Sequence, residues 1–444
     1  MTRNRRRKRR IPTDPATLEI TALAHDGRGV AHLEGKTVFV HGALVGERVT
    51  ARYVARYRQY DVADVIEVLT PSDLRVSPRC EHFGLCGGCS LQHMAGDAQI
   101  QSKQMLLLEQ LQRVGKIEPA SVFQPLGAES WGYRRKARLG VRDVPKKGRV
   151  LVGFRERHSN YIAELNRCEI LTPKIGGLLL PLSDLIGRLS LKAQIPQIEV
   201  ACGDMGSALV FRTLGQPTQE DCDQLRAFAI EHDLQILLQP GGPEYLVPIW
   251  PEDSELWYEL SDYQLRLHFR PTDFTQVNAE LNRKMVARAL ELLQPSRTDR
   301  VLDLFCGLGN FTLPLARESG EVVGVEGDAQ LIERAEQNAR RNGIDNAHFY
   351  TGDLGNVPPM AAWLNKPYDK LLLDPPRSGA FELLSHVPQI HAQQILYVSC
   401  NPATLARDAG ELVHRYGYRL HGAGVMDMFP HTGHVESIAL FERG

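Results

Sequence analysis

V-L-D-L-F-C-G-L-G-N-F-T-L-P-L-A, Val301 to Ala316, is the stretch whose reading decides the fold. A short apolar run ends in a loop containing Gly307 and Gly309, and a helical pattern follows. Glycines at that place let the chain turn sharply and leave bare backbone for a ligand ahead of the helix. From Arg270 onward strand and helix patterns alternate to the end of the chain, which predicts a doubly wound parallel sheet. Such sheets hold their ligands outside the carboxyl ends of the strands, so strand-end residues carry the functional reading. V-V-G-V-E puts Glu326 at a second strand end, where a carboxylate can bind both hydroxyls of a ribose. Y-T-G-D puts Asp353 at a third, near where an adenine would lie. The loop lacks the third glycine of the dinucleotide fingerprint, and nothing else in the chain suggests hydride chemistry. Asp303 and Asn310 stand where either can brace the loop, and Asn310 is counted as a ligand contact.

Two later segments supply reactive groups. L-L-L-D-P-P-R, Leu371 to Arg377, ends a strand with Asp374, and I-L-Y-V-S-C-N-P, Ile395 to Pro402, ends another with Cys400. A free cysteine is usually a small buried hydrophobe, so Cys400 needs a partner before it reads as a nucleophile. F-P-H-T-G-H-V-E-S, Phe429 to Ser437, offers Glu436 as a general base, with His431 and His434 as rivals because imidazole titrates near neutrality. Carbon 5 of a pyrimidine is a poor nucleophile until a thiolate adds at carbon 6, and a base must later remove the carbon 5 proton. A cysteine and a nearby base are what that chemistry demands. Asp374 could hold the polar edge of a flipped base.

Earlier in the chain, P-R-C-E-H-F-G-L-C-G-G-C carries Cys80, Cys86 and Cys89, with Cys168 in N-R-C-E as the best fourth ligand. Zinc sites more often pair two short C-x2-C knuckles, so a [4Fe-4S] cluster is favoured over zinc, or over no metal at all. Cys202, Cys222 and Cys306 read as packing residues. Between Ala16 and about Leu69 short alternating strands with glycine turns predict a small barrel of oligonucleotide-binding type. Asp97 to Val114 and Asn278 to Leu293 have helical spacing. W-G-Y-R-R-K-A-R-L-G-V-R interleaves Trp131 and Tyr133 with Arg134, Arg135, Lys136, Arg138 and Arg142, a composition suited to phosphates and base stacking.

The net charge of -1 hides an asymmetry, since Thr2 to Arg10 is almost entirely basic. Such a block predicts a disordered arm at 1–14 that binds phosphates. It is followed by no apolar signal region, and no run is long enough to span a membrane. The eight cysteines are therefore expected in a reducing cytoplasm, as metal ligands or catalysts. The expected order is the arm, a barrel at 15–72, a central strand-rich region with the cluster at 73–270, and a Rossmann-like domain at 271–444.

The blocks D-G-R-G-V-A and F-V-H-G-A-L-V-G-E, Asp26 to Ala31 and Phe39 to Glu47, resemble the TRAM domain of RNA-modifying enzymes. The glycine loop with Glu326 and Asp353 is similar to the S-adenosylmethionine site of Rossmann-like methyltransferases. In amino-methylases of similar fold the Asp374 motif ends in an aromatic residue, whereas here it ends in Arg377, so stacking there is not expected. The full set, P-T-D-F-T-Q-V-N, D-L-F-C-G-L-G-N-F, L-L-D-P-P-R-S-G, V-S-C-N-P-A-T-L-A-R-D and H-V-E-S, resembles the bacterial RNA 5-methyluridine methyltransferases. That resemblance implies Cys400 as nucleophile and Glu436 as base, with Gln276, Phe305, Asn310, Glu326, Asp353 and Asp374 around the methyl donor and target base. Having both barrel and cysteine cluster is similar to the subgroup acting on one uracil of 23S ribosomal RNA. A monomer without an obligate protein partner is expected. The rivals are a uracil methyltransferase for another RNA site, a cytosine-5 methyltransferase, for which the second Pro-Cys motif is missing, and a non-catalytic iron-sulfur RNA-binding protein.

Overall fold

In the computed structural model the described residues are 11–242, 245–253, 255–358 and 360–444. The basic stretch Thr2 to Arg10 lies outside them. Packing divides the chain into two units.

The first unit holds the described residues up to Lys103, with Glu156–Ser159 and Phe429–His434. Its frame is a six-stranded sheet that runs, edge to edge, Ala16–Glu19, Arg48–Arg56, Tyr60–Thr70, Lys36–His41, Gly29–Leu33 and Ala22–Leu23. Alternation along these strands turns Leu18, Ala31, Val38, Val40, Val49, Ala51 and Ala63 inward, as the expected small barrel requires. The expected boundary near residue 72 is not where packing changes. Leu91, Met94 and Ala98 bury against Leu44 and Leu23 of the barrel, so the segment with Cys80, Cys86 and Cys89 belongs to this unit. Apolar burial beyond the last strand makes a second, smaller cluster against the barrel, and this contact keeps the segment in the same unit.

The second unit holds the rest. Lys136–Val144, Arg149–Gly153, Gln197–Cys202, Ser207–Arg212, Gln235–Gln239 and Val247–Trp250 form one sheet, and Leu256–Leu260 pairs with Leu265–Phe269 as a hairpin. The largest sheet has the order Ala347–Thr351, Glu321–Glu326, Arg300–Leu304, Lys370–Leu373, Gln394–Ser399, Glu436–Arg443, Tyr418–Met426 and Ser121–Val122. The first five of these are parallel, and Glu436–Arg443 runs antiparallel to both its neighbours. Buried runs such as Leu371 to Leu373 and Ile395 to Val398 are apolar without alternation because helices cover both faces of a doubly wound sheet. The helix expected at Asn278 begins with Asn278 itself as its cap, its Oδ1 accepting from the Leu281 N–H at 3.1 Å, and continues as Ala279–Leu293. Among the described residues no helix is long and apolar enough to cross a membrane.

Candidate active site

The strand Arg300–Leu304 ends in a loop whose backbone takes the left-handed region three times, at Phe305 (φ 66°), Gly307 (φ 56°) and Gly309 (φ 96°). Phe305 is no glycine, and its conformation is held by its N–H donating to Val325 O at 2.9 Å. At Gly307 nothing lies within 4 Å of where a Cβ would stand, so the loop faces open space there. The Glu326 carboxylate is fixed by three backbone donors, Gly307 at 3.2 Å on Oε2 and Gly327 and Asp328 at 2.7 and 3.2 Å on Oε1. An acceptor fixed beside an open glycine loop fits a ligand carrying vicinal hydroxyls. Asp353 follows the next strand, exposed, with Oδ1 accepting from the Gly355 N–H.

Asn310 is engaged on two sides. Its Oδ1 accepts from the Tyr258 hydroxyl at 2.8 Å and from Asn282 Nδ2 at 2.9 Å, and its own Nδ2 donates to Asn282 Oδ1 at 2.9 Å. One amide hydrogen is left over for a ligand. Tyr258 and Asn282, with Gln276, also line a small cavity, which brings Gln276 to the same part of the fold as the glycine loop. Asp303, by contrast, is wholly buried. Its Oδ2 accepts from the Thr312 hydroxyl at 2.5 Å while Oδ1 has no hydrogen-bond partner. Burial, reinforced by the charges of Asp374 and Glu326, pushes its carboxyl up to about 7 against the Thr312 bond.

Cys400 occupies the turn between the strand Gln394–Ser399 and the helix Pro402–His414. The Ser399 hydroxyl accepts from the Asn401 N–H and donates to the Asn401 carbonyl, each at 3.1 Å, so it clamps the chain on either side of residue 400. Asn401 caps the helix and reaches Arg377 O with Nδ2 at 3.1 Å. Burial, with the charges of Glu436 and Asp374 behind it and Arg377 opposing, pushes the Cys400 thiol up to about 11. Burial alone raises Asp374 to about 7. His431 and His434 belong to the first unit, where Gln99 Oε1 accepts from the His431 N–H at 2.8 Å.

The loop after Asp374 is held by groups that the sequence reading gave no role. The buried Asp408 Oδ2 accepts from the Ala380 N–H at 2.8 Å and from the Tyr397 hydroxyl at 2.7 Å. A Cβ on Gly379 would stand 2.5 Å from the same oxygen, and Gly379 has φ 81°, so glycine is required there twice over. The signal lies in A-T-L-A-R-D, where an aspartate falls among the apolar positions of what is the helix Pro402–His414.

The basic stretch differs from its reading. Arg135 pairs with Asp204, Lys136 donates to the carbonyls of Pro271 and Asp273, and burial lowers the Lys136 ammonium to about 8. Tyr133 is buried. Arg138 and Arg142 are the exposed cations of this stretch, and Arg138 also reaches Glu199 at 3.0 Å. Cys80, Cys86 and Cys89 are half-buried in the first unit and Cys168 is half-buried in the second; Cys202 and Cys306 are buried as packing residues should be, whereas Cys222 is only half-buried.

Residues 242–351 and 364–444 match the family described as tRNA (Uracil-5-)-methyltransferase, and residues 16–66 match the TRAM domain. The chain is 54% identical over 439 residues to the 23S rRNA (uracil(1939)-C(5))-methyltransferase RlmD of Alkalilimnicola ehrlichii, covering 99% of each. It is 51% identical to the protein of the same name from Methylococcus capsulatus, covering 99% of this chain and 100% of that one. Among solved structures it is similar to the Pyrococcus abyssi tRNA (uracil-54, C5)-methyltransferase in complex with S-adenosyl-L-homocysteine. That likeness has a TM-score of 0.74 and 25% identity, covering 96% of this chain and 99% of the other.

Proposed function

The chain belongs to the (uracil-5-)-methyltransferase family of RNA-modifying enzymes, and from that membership we infer that it methylates carbon 5 of a uridine in 23S ribosomal RNA, with S-adenosylmethionine as donor. The observation that carries the reading is the convergence of Cys400, Glu436 and Asp374 at the carboxyl ends of the sheet. The site named by its relatives is uracil 1939, which makes that position the first candidate target.

Cys400 loses its proton and bonds carbon 6 of the pyrimidine, and the electrons of the ring double bond pass into an enolate. Carbon 5 then takes the methyl group from the sulfonium. Glu436 removes the carbon 5 proton, the double bond re-forms, and the sulfur of Cys400 leaves. A carboxyl such as Asp374, raised to about 7, accepts from a ring N–H when ionised and donates to the enolate oxygen when protonated. Glu326 and Asp353 bind the donor's ribose and adenine ends, and Gln276, Phe305 and Asn310 complete its surroundings. Extruding a uridine costs on the order of a few kcal/mol, least in an unpaired loop, so a single-stranded segment is the natural target.

The TRAM barrel and the cations Arg138 and Arg142 bind RNA phosphates. Cys80, Cys86, Cys89 and Cys168 hold a [4Fe-4S] cluster, a reading supported by four thiols in clustered spacing with glycine beside Cys86 and Cys89. Methyl transfer from a sulfonium needs no electron, so the cluster serves as a structural staple. Iron and sulfide analysis of anaerobically purified protein checks its presence. If activity survived iron removal while folding and RNA affinity were unchanged, the staple would have no role. The enzyme works as a monomer in the cytoplasm, where ribosomal RNA matures.

The test uses 23S ribosomal RNA from cells lacking the gene, incubated with purified protein and methyl-labelled S-adenosylmethionine. Label should enter one uridine as 5-methyluridine. Label only in transfer RNA, or on cytosine, would move the protein to another specificity, and binding of RNA without transfer would make it a non-catalytic binder.

A further inference from the structure

The barrel's strand pairing sets His41 beside Asp64. Lys36–His41 and Tyr60–Thr70 run parallel, with these two residues as register partners. Register partners on neighbouring strands project from the same face of a sheet. The segment Glu156–Ser159 packs within the same unit and supplies His158, whose Nε2 lies 2.9 and 3.1 Å from the two carboxylate oxygens of Asp64. The rings of His41 and His158 meet edge to face, centroids 4.8 Å apart and planes at 76°. One donor atom from each of the three residues lies within 4.8 Å of the others.

We propose that His41, Asp64 and His158 form a binding site for a divalent transition cation of the zinc class, built wholly from the first unit and separate from the cysteines. Two imidazoles and one carboxylate are a donor set that zinc and its neighbours favour, and three protein ligands leave coordination positions open. Ligand bonds of about 2.0–2.2 Å put two ligands of one ion at most about 4.4 Å apart. At the tetrahedral angles zinc prefers, two ligands stand roughly 3.3–3.6 Å apart, so the widest pair has to close by about an ångström, a movement the exposed His158 can supply. A plain ion pair accounts for Asp64 and His158 but not for the half-buried His41 aimed at them. The charges of Arg157 and Arg28, both felt by His41, oppose a dication. The ion is thus exchangeable, held more weakly than in a closed structural zinc site.

Cobalt(II) added anaerobically to chelator-treated full-length protein provides the test. Thiolate ligands give cobalt intense near-ultraviolet charge-transfer bands, whereas imidazole and carboxylate give only visible d–d bands. The expected result is a d–d component without charge transfer, erased by excess zinc and retained when Cys86 is changed to serine. His158→Ala, at an exposed position that risks little of the fold, and His41→Ala should each weaken that component at least about tenfold. Its absence from the wild type, or its persistence at full strength in both histidine variants, would overturn the proposal. Far-ultraviolet circular dichroism verifies that each variant is folded.

Discussion

Glu436 stands level with Cys400 across two antiparallel strands, one step beyond the paired Ser399 and Ser437. After burial, its charge is the foremost cause of the raised Cys400 thiol, at about 11. Cys400 of the free protein is accordingly a thiol at neutral pH, and if it is the nucleophile proposed above, deprotonation has to accompany its attack. Alkylation of Cys400 by iodoacetamide should therefore keep accelerating as pH rises towards 11. In Glu436→Gln one cause of the upward shift is gone, so the same curve should move to lower pH. Peptide mass spectrometry separates Cys400 from the other cysteines, and an unmoved curve would place Glu436 away from the thiol.

The roles proposed for Cys400 and Glu436 separate by what accumulates. Cys400→Ala should abolish turnover and any covalent RNA adduct. Glu436→Gln should form the adduct and release it slowly, because the carbon 5 proton stays in place. RNA carrying 5-fluorouridine should trap the wild type, since fluorine cannot leave as a cation. Denaturing gels with labelled RNA read all three, and normal turnover by Glu436→Gln would assign the base to another group.

Tyr397→Phe removes the hydroxyl that donates to Asp408 beside the Ala380 N–H. A buried hydrogen bond to a charged group contributes about 1.5–3 kcal/mol, so thermal unfolding should move down by several degrees. Because Asp408 holds the loop that follows Asp374, base binding should weaken as well. The readout is a rise in KM for RNA larger than any change in KM for S-adenosylmethionine.

Asp303 has its folded pKa raised to about 7, above the ordinary carboxyl value of 3.8. The folded state therefore binds more protons than the unfolded one between those values, and stability falls as pH rises through that window. Asp303→Asn keeps an acceptor for the Thr312 hydroxyl and removes the ionisation. Its unfolding temperature should exceed that of the wild type at pH 8, with the difference shrinking as pH falls towards 4. Calorimetry at a series of pH values checks the slope.

Strand-end residues were legible because their position follows from local pattern. An apolar run, a turn and a helix put Cys400, Asp374 and Glu326 at the carboxyl edge of a parallel sheet whatever the rest of the chain does. Partners far apart in the chain were not legible. Arg135 and Lys136 looked like a phosphate-binding surface, yet Asp204 and the carbonyls of Pro271 and Asp273 take them up inside the fold. Asn310 read as a ligand contact is also a brace to Asn282 and Tyr258.

The amino-acid sequence by itself determined the doubly wound sheet, the small barrel, and which side chains stand at the reactive strand ends, since periodicity and turn chemistry act over a few residues. Only the tertiary structure decided that Glu436 faces Cys400, that Asp408 anchors the loop after Asp374, and that His158 meets Asp64 across 94 residues of chain. Those pairings depend on strand order and on which apolar faces are buried together, and burial then raises the Asp303 and Asp374 carboxyls and the Cys400 thiol.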